Sequence, residues 1–139
     1  MLKEVQVNKT ECKVYLLDEN YDVFGVLPMS KDYIQDTGAR HNADDGVYRE
    51  TVWSDIDYPD DEDLSSGFGW AYLNIDSDGR ALHGGGAALG WDEALRPFQE
   101  ELMPTLGCFR LYNVDILWLC YHWERAVAAG ANPCIHVVS

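Results

Sequence analysis

The chain has 139 residues, enough for one domain, and its hydrophobic content of 47% and aromatic content of 12% support a buried core. Its 24 acidic and ten basic residues give a formal net charge of −14. Because such a surface repels phosphates, the composition argues against nucleic-acid binding through phosphate contacts. It leaves open an acidic protein that occupies the basic groove of a partner.

The N-terminal segment predicts a strand rather than a secretion signal, because residues 1–7 alternate between apolar and polar types. No stretch approaches the roughly 18 apolar residues that cross a bilayer, so no membrane insertion is expected. Synthesis in the cytoplasm is therefore the expectation. No C-x-x-C spacing of a structural metal site occurs, and reduced thiols are expected for the four cysteines: Cys12, Cys108, Cys120 and Cys134.

The first half of the chain predicts mostly strands. Residues 3–27 are typical of two strands followed by an apolar segment from Val23 to Leu27, and Val47 to Trp53 predicts another strand. The acidic stretch 54–66 predicts a solvated loop. A calcium loop is the less favoured alternative, because the carboxylates lack the spacing and closing glutamate of an EF-hand. Residues 69–82 predict strand, turn and strand, which would deliver His83 at the end of an extended piece.

The second half predicts one principal helix. Residues 87–103 have a helical composition that Pro97 interrupts. A clear helix should begin with Asn113 as its N-cap and stop at Gly130. Its predicted buried face comprises Ile116, Leu119, Cys120, Trp123 and Val127. With a final strand over 133–138, residues 1–139 are expected to form a single, mainly β domain with one principal C-terminal helix.

Cys108 is the candidate nucleophile. It lies shortly before the predicted helix, whose N-terminus is expected to lower the pKa of its thiol. Gly107 would let nearby backbone amides converge on an oxyanion, and Arg110 suits a substrate carboxylate. The alternative is a buried cysteine in a strand-to-helix turn, with Arg110 in a surface ion pair.

Three segments together resemble the catalytic domain of the L,D-transpeptidases, the YkuD-like family. They are His83-Gly84, Thr105-Leu106-Gly107-Cys108-Phe109-Arg110 and Asn113-Val114-Asp115. The chain departs from the family pattern at Leu106, where many members have histidine, and in a longer segment between His83 and Thr105. The resemblance implies a mainly β fold, sandwich-like or barrel-like.

The resemblance also implies roles for individual residues. Cys108 would be the nucleophile and His83 the general base, with the backbone carbonyl of Gly84 orienting the imidazole. Substrate-binding and oxyanion contacts would come from Thr105, Gly107, Arg110 and Trp91, the last as a substrate-facing aromatic in the long segment. No cofactor and no metal is implied.

The implied reaction is cleavage of the bond between the third and fourth residues of peptidoglycan stem tetrapeptides. The acyl group would pass to an amine, a D-amino acid or water. Without a signal sequence, the expectation is a phage-encoded or injected wall-modifying protein that acts at the cell wall or periplasm after delivery. A cognate immunity or delivery protein would then be a partner. The alternative is a non-enzymatic acidic binding or inhibitor protein on the same fold.

Other readings of the histidines are less favoured. His83-Gly84-Gly85-Gly86 is similar to an oxyanion segment of some lipases, but the chain has no G-x-S-x-G nucleophile elbow. His136 shares a predicted strand face with Cys134, so a metal pair is an alternative to a histidine at the edge of the core. His122 is expected at the surface or boundary of the helix.

Overall fold

The computed structural model describes residues 1–30, 43–49, 56–57, 71–76, 80–84 and 108–139. Within these residues, five strands form a first sheet in the order β3-β2-β1-β9-β4. The strands are β1 (Leu2–Asn8), β2 (Lys13–Asp18), β3 (Val23–Pro28), β4 (Gly46–Arg49) and β9 (Cys134–Val138). β1 pairs antiparallel with β2 and parallel with β9. The apolar segment after the first two predicted strands is therefore a third strand, β3.

A second sheet of the described residues has the order β5-β6-β7-β8. Its strands are β5 (Ile56–Asp57), β6 (Tyr72–Asn74), β7 (Ala81–His83) and β8 (Phe109–Arg110). β7 is antiparallel to β6 and parallel to β8. β5 falls inside the stretch predicted as a loop, so that prediction is wrong for residues 56–57. Pairing of Ile56 with Leu73 overrides the acidic local composition there.

Helix α1 (Asn113–Ala128) packs its buried face between the sheets. The N-cap is Tyr112, without a side-chain capping hydrogen bond, so the prediction of Asn113 as N-cap is wrong. Asn113 is instead the first helical residue and is buried. Gly130, with φ +84, follows the C-cap, as its predicted role as the stop requires.

The core consists of the alternating inward residues of both sheets and one face of α1. On the helix, Val127 is exposed, contrary to prediction, and Ala126 is buried in its place. Trp118 lies against β3, where a Cβ added at Gly25 would come within 2.6 Å of the indole ring. The mainly β prediction with one helix near the C-terminus is confirmed. No helix in the described part of the chain is long and apolar enough to cross a membrane.

Candidate active site

The second sheet has one apolar and one polar face. Its apolar row consists of Leu73, Leu82 and Phe109, which pair across β6, β7 and β8 and lie in the core. The adjacent row pairs Tyr72 with His83 and His83 with Arg110. Because successive side chains of a strand point to opposite faces, this second row lies on the face turned away from the core.

Cys108 lies on the same polar face, two residues before Arg110. It directly precedes β8, and the parallel register sets it beside Ala81. Cys108 and His83 therefore lie on the same face, one strand and two residues apart. Strand spacing and rise place their Cα atoms roughly 8 Å from each other, within the reach of two side chains that converge on a substrate. The parallel β7–β8 pairing is what brings the two predicted catalytic residues together.

A backbone carbonyl orients His83. Its Nδ1 lies 2.7 Å from the carbonyl oxygen of Gly84, and the side chain is buried, with 3% of its surface exposed. Since a carbonyl only accepts, this contact requires the proton on Nδ1 of the neutral ring and leaves the lone pair on Nε2. Burial lowers the pKa of His83 to about 4, with the Gly84 hydrogen bond opposing and the charge of Arg110 adding to the shift. The imidazole is therefore neutral at neutral pH.

The thiol of Cys108 is also held neutral. Burial raises its pKa, while a backbone hydrogen bond from Ala81 lowers it. The expectation that the helix N-terminus would lower this pKa is wrong in its net result. Helix α1 begins five residues after Cys108, and the effect of a helix dipole is confined to about the first turn. The resting pair is thus a neutral thiol with a neutral imidazole, the state from which general-base catalysis starts.

Arg110 is buried rather than at the surface, so the alternative of a surface ion pair is wrong. Its residue is 7% exposed, and its backbone N–H donates to Ser30 Oγ over 3.0 Å. Its carbonyl accepts from the backbone N–H of Ser30 over 2.8 Å. The guanidinium charge lowers the pKa of both His83 and Cys108. It therefore opposes the imidazolium and favours the thiolate.

Gly84 lets α1 begin close to the site. Its N–H donates to the carbonyl of Ala71 over 3.3 Å, and the buried side chain of Asn113 lies directly against its Cα. A Cβ at this position would collide with Oδ1 of Asn113 and would approach Ile116 Cγ2 to 3.3 Å. The glycine that carries the carbonyl partner of His83 is therefore also the contact between β7 and the helix.

We expect Gly84→Ala to lower the free energy of unfolding by about 1–3 kcal/mol, because the added methyl group overpacks this contact. Urea denaturation of both proteins would measure the loss. In the Gly84→Ala background, Asn113→Ala removes the colliding amide, so the second substitution should cost less stability there than in the wild type. Equal costs of Asn113→Ala in the two backgrounds would contradict the assigned contact.

The polar face also carries residues that are not among those predicted from the sequence. Tyr72 lies opposite His83, and Asn74 lies opposite Ala81, so both share the face of Cys108. Beyond them, Asp76 and Arg80 form an ion pair of 2.9 Å. The turn predicted at 76–79 could have identified them. Pairing residues across that turn sets Tyr72 opposite His83 and Asn74 opposite Ala81.

Several predicted residues have no structural description. Trp91, Thr105 and Gly107 lie outside the described residues, as does the predicted helical stretch 87–103. His136 and Cys134 do share a strand face, on the first sheet. Glu4 lies between them, 3.4 Å from His136 Nδ1 and 3.8 Å from Cys134 Sγ. The described part of the chain holds no group of three or more His, Cys, Asp or Glu residues suited to a metal ion.

In the described part of the chain, Cys108 and His83 thus belong to a mainly β fold of two sheets with a helix packed between them. No protein-family model matches the sequence, and a search of curated proteins finds no match. Solved structures do match. The L,D-transpeptidase from Xylanimonas cellulosilytica superposes with a TM-score of 0.59 at 14% identity, covering 98% of this chain and 60% of that one.

Two further structures agree with this match. L,D-transpeptidase 1 of Mycobacterium tuberculosis gives a TM-score of 0.52 at 13% identity, over 98% of this chain and 60% of that one. An L,D-transpeptidase in complex with imipenem gives 0.54 at 13% identity, over 97% and 58%. The chain therefore has the fold of the L,D-transpeptidase catalytic domains. It spans about 60% of the length of the structures that it matches.

Proposed function

We propose that the protein is a cysteine acyltransferase of the L,D-transpeptidase type that acts on peptidoglycan stem peptides. One observation supports this above the others. Cys108 and His83 share the polar face of the second sheet, and the carbonyl of Gly84 fixes the imidazole with Nε2 as its basic nitrogen. A nucleophile, a base and a group that orients the base are the minimum set for covalent acyl transfer.

The first half-reaction forms a thioester. Nε2 of His83 accepts the thiol proton as Cys108 Sγ attacks the carbonyl carbon of the third stem residue. The carbonyl oxygen becomes an oxyanion, which the backbone amides of Gly107 and Cys108 would stabilise. When the tetrahedral intermediate collapses, the C–N bond to the fourth residue breaks, and the imidazolium gives its proton to the departing amine.

The second half-reaction restores the enzyme. An amine of another stem, a D-amino acid or water attacks the thioester carbon, and His83 takes the proton from this nucleophile. The C–S bond breaks, and the thiolate recovers its proton from the imidazolium. Thr105 and Arg110 would position the donor peptide, and Trp91 would contact it. No step requires a cofactor or a metal.

The neutral resting pair fits this mechanism. Because His83 is buried next to the positive charge of Arg110, an imidazolium is unfavourable until a negative charge develops nearby. The attacking sulfur and the oxyanion supply that charge only during the reaction, so proton transfer is coupled to attack on the substrate. Arg110 also favours loss of the proton from Cys108, because its positive charge stabilises the thiolate.

The test is incubation of the purified protein with disaccharide tetrapeptides, with the products followed by mass spectrometry. Loss of the terminal D-amino acid shows hydrolysis, replacement by an added D-amino acid shows exchange, and a dimer shows cross-linking. Imipenem offers a second probe, because thiol attack on its β-lactam amide opens the ring and adds the whole molecule to the protein. If the protein forms no product and no imipenem adduct, the proposal is contradicted and the non-enzymatic acidic binding protein is favoured.

A further inference from the structure

An ion pair closes the β6–β7 hairpin at the Cys108 end of the polar face. Arg80 Nη1 lies 2.9 Å from Asp76 Oδ2, and the backbone N–H of Arg80 donates to Asp76 Oδ1 over 3.2 Å. The N–H of Ile75 donates to the carbonyl of Arg80 over 2.8 Å, which fixes the hairpin end. Both side chains are largely buried, with 16% and 15% exposed, so solvent screens their charges less than it would at the surface.

The pair is next to the candidate nucleophile. Arg80 directly precedes Ala81, the residue that the parallel register sets beside Cys108 and whose backbone is hydrogen-bonded to the thiol. Asp76 lies two residues after Asn74, the partner of Ala81 on the other side of the ladder. The ion pair therefore lies at the end of the sheet, next to the row that contains the sulfur.

The two charges act on the thiol with opposite signs. Asp76 raises the pKa of Cys108 and Arg80 lowers it. Among the described residues, the other charged or titratable groups on the face of the thiol are Arg110 from β8, which lowers this pKa, the neutral His83 from β7, and Tyr72 from β6. The same ion pair also affects Tyr48 on β4 of the first sheet, because Asp76 raises the pKa of Tyr48 and Arg80 lowers it.

We propose that Asp76 and Arg80 are positioning residues that together set the fraction of Cys108 present as thiolate. Arg80 favours the thiolate, and the opposing effect of Asp76 is the larger of the two, so the hairpin keeps the thiol neutral until His83 removes its proton. The inference rests on the proposed function only in taking Cys108 as the reacting group. Neither residue needs to touch the substrate.

The test is the pH dependence of alkylation of Cys108 by iodoacetamide, because only the thiolate reacts. Peptide mass mapping separates Cys108 from the other three cysteines, and Cys12 serves as an internal reference. Asp76→Asn keeps an oxygen that can accept from the Arg80 N–H, and Arg80→Gln keeps a side-chain donor, so both variants preserve hydrogen bonding while removing one charge.

We expect the two single substitutions to change the rate of Cys108 alkylation in opposite directions. At pH 8, Arg80→Gln should slow alkylation of Cys108 about three- to tenfold, and Asp76→Asn should accelerate it by a similar factor. The double variant Asp76→Asn/Arg80→Gln and the charge-preserving Arg80→Lys should lie close to the wild type. Shifts of both single variants in the same direction, or no shift in either, would overturn the proposal, since a purely structural role predicts a common sign.

This experiment uses no peptidoglycan, so it is separable from the test of the proposed function. Opposite shifts without turnover of tetrapeptides would leave the electrostatic control standing and remove the proposed reaction. Turnover of tetrapeptides without opposite shifts would support the proposed reaction and remove the electrostatic control by Asp76 and Arg80. If one single variant fails to fold, as judged by circular dichroism, the other single variant and the double variant still carry the test. The folded single variant must shift in its expected direction, and the double variant must return to within about twofold of the wild type.

Discussion

Replacing Cys108 by alanine should abolish turnover of disaccharide tetrapeptides, with a loss of at least about 10³-fold. The thiol is the only group in the proposed mechanism that forms a covalent bond to the substrate, so no neighbouring residue replaces it. The same variant should form no imipenem adduct, because the thiol that shares a face with the base His83 is gone. Product release measured by mass spectrometry and the intact mass of the treated protein would check both results.

Cys12→Ser is the matched control for the loss of a thiol. Cys12 lies in the turn between β1 and β2 of the first sheet and is not part of the polar face of the second sheet. We expect this variant to turn over tetrapeptides at the wild-type rate and to gain one imipenem. Turnover by Cys108→Ala at a rate within tenfold of the wild type would remove the cysteine mechanism altogether.

Replacing His83 by glutamine should lower turnover by about 10²- to 10⁴-fold, the usual contribution of a general base. Burial raises the pKa of Cys108, so little thiolate exists at neutral pH without a base. Raising the pH should therefore restore part of the activity of the variant, because hydroxide then deprotonates the thiol directly. Initial rates between pH 6 and 10 would measure this recovery.

His136→Gln is the matched control for His83→Gln. His136 lies on β9 of the first sheet, where its Nδ1 contacts Glu4. We expect wild-type turnover and an unchanged pH profile. A loss in His136→Gln comparable to that in His83→Gln would show that the assay detects a general loss of structure rather than removal of the base.

The depressed pKa of His83 also predicts how stability depends on pH. The native imidazole titrates at about 4, whereas an unfolded histidine titrates near 6.5. Between these values the unfolded chain binds more protons, so this group's contribution is present above pH 6.5 and is lost as the pH falls towards 4. Its full size is about 3 kcal/mol.

A second buried group acts with the opposite sign. Burial raises the pKa of Asp115 to about 6, so the native carboxyl takes up its proton before the unfolded one as the pH falls. The prediction therefore concerns the difference in unfolding free energy between wild type and His83→Gln, in which Asp115 cancels. This difference should fall by about 3 kcal/mol from pH 7 to pH 4. A constant difference in urea denaturation would contradict a neutral, buried His83.

Local pattern predicted most of the described elements. In the first two strands, apolar residues such as Val5, Val7, Val14 and Leu16 occupy every second position, a pattern that predicts strands with one buried face. The periodic apolar residues after Asn113 predict a helix. The errors arise where tertiary contacts override local preference. β5 forms in an acidic stretch because β6 offers a partner strand, and Asn113 moves from the predicted cap into the helix because its side chain packs on Gly84.

The sequence by itself determined the residue types of the candidate site. Their spacing and the resemblance that they carry predict the site residues His83, Gly84, Cys108 and Arg110. Sequence does not reveal electrostatic environment, because burial depends on what the rest of the chain places over a residue. The predicted low pKa of Cys108 therefore had the wrong direction, and Arg110 proved to be buried.

Only the tertiary structure decided which side chains share a face. The parallel register of β7 and β8 aligns His83 with Arg110 and sets Cys108 one row away, across a long stretch of intervening chain. That register depends on long-range backbone hydrogen bonds, which no local pattern specifies. The same register brings the Asp76–Arg80 pair to the end of the sheet where the Cys108 thiol lies, so the sequence alone could not place these charges near the thiol.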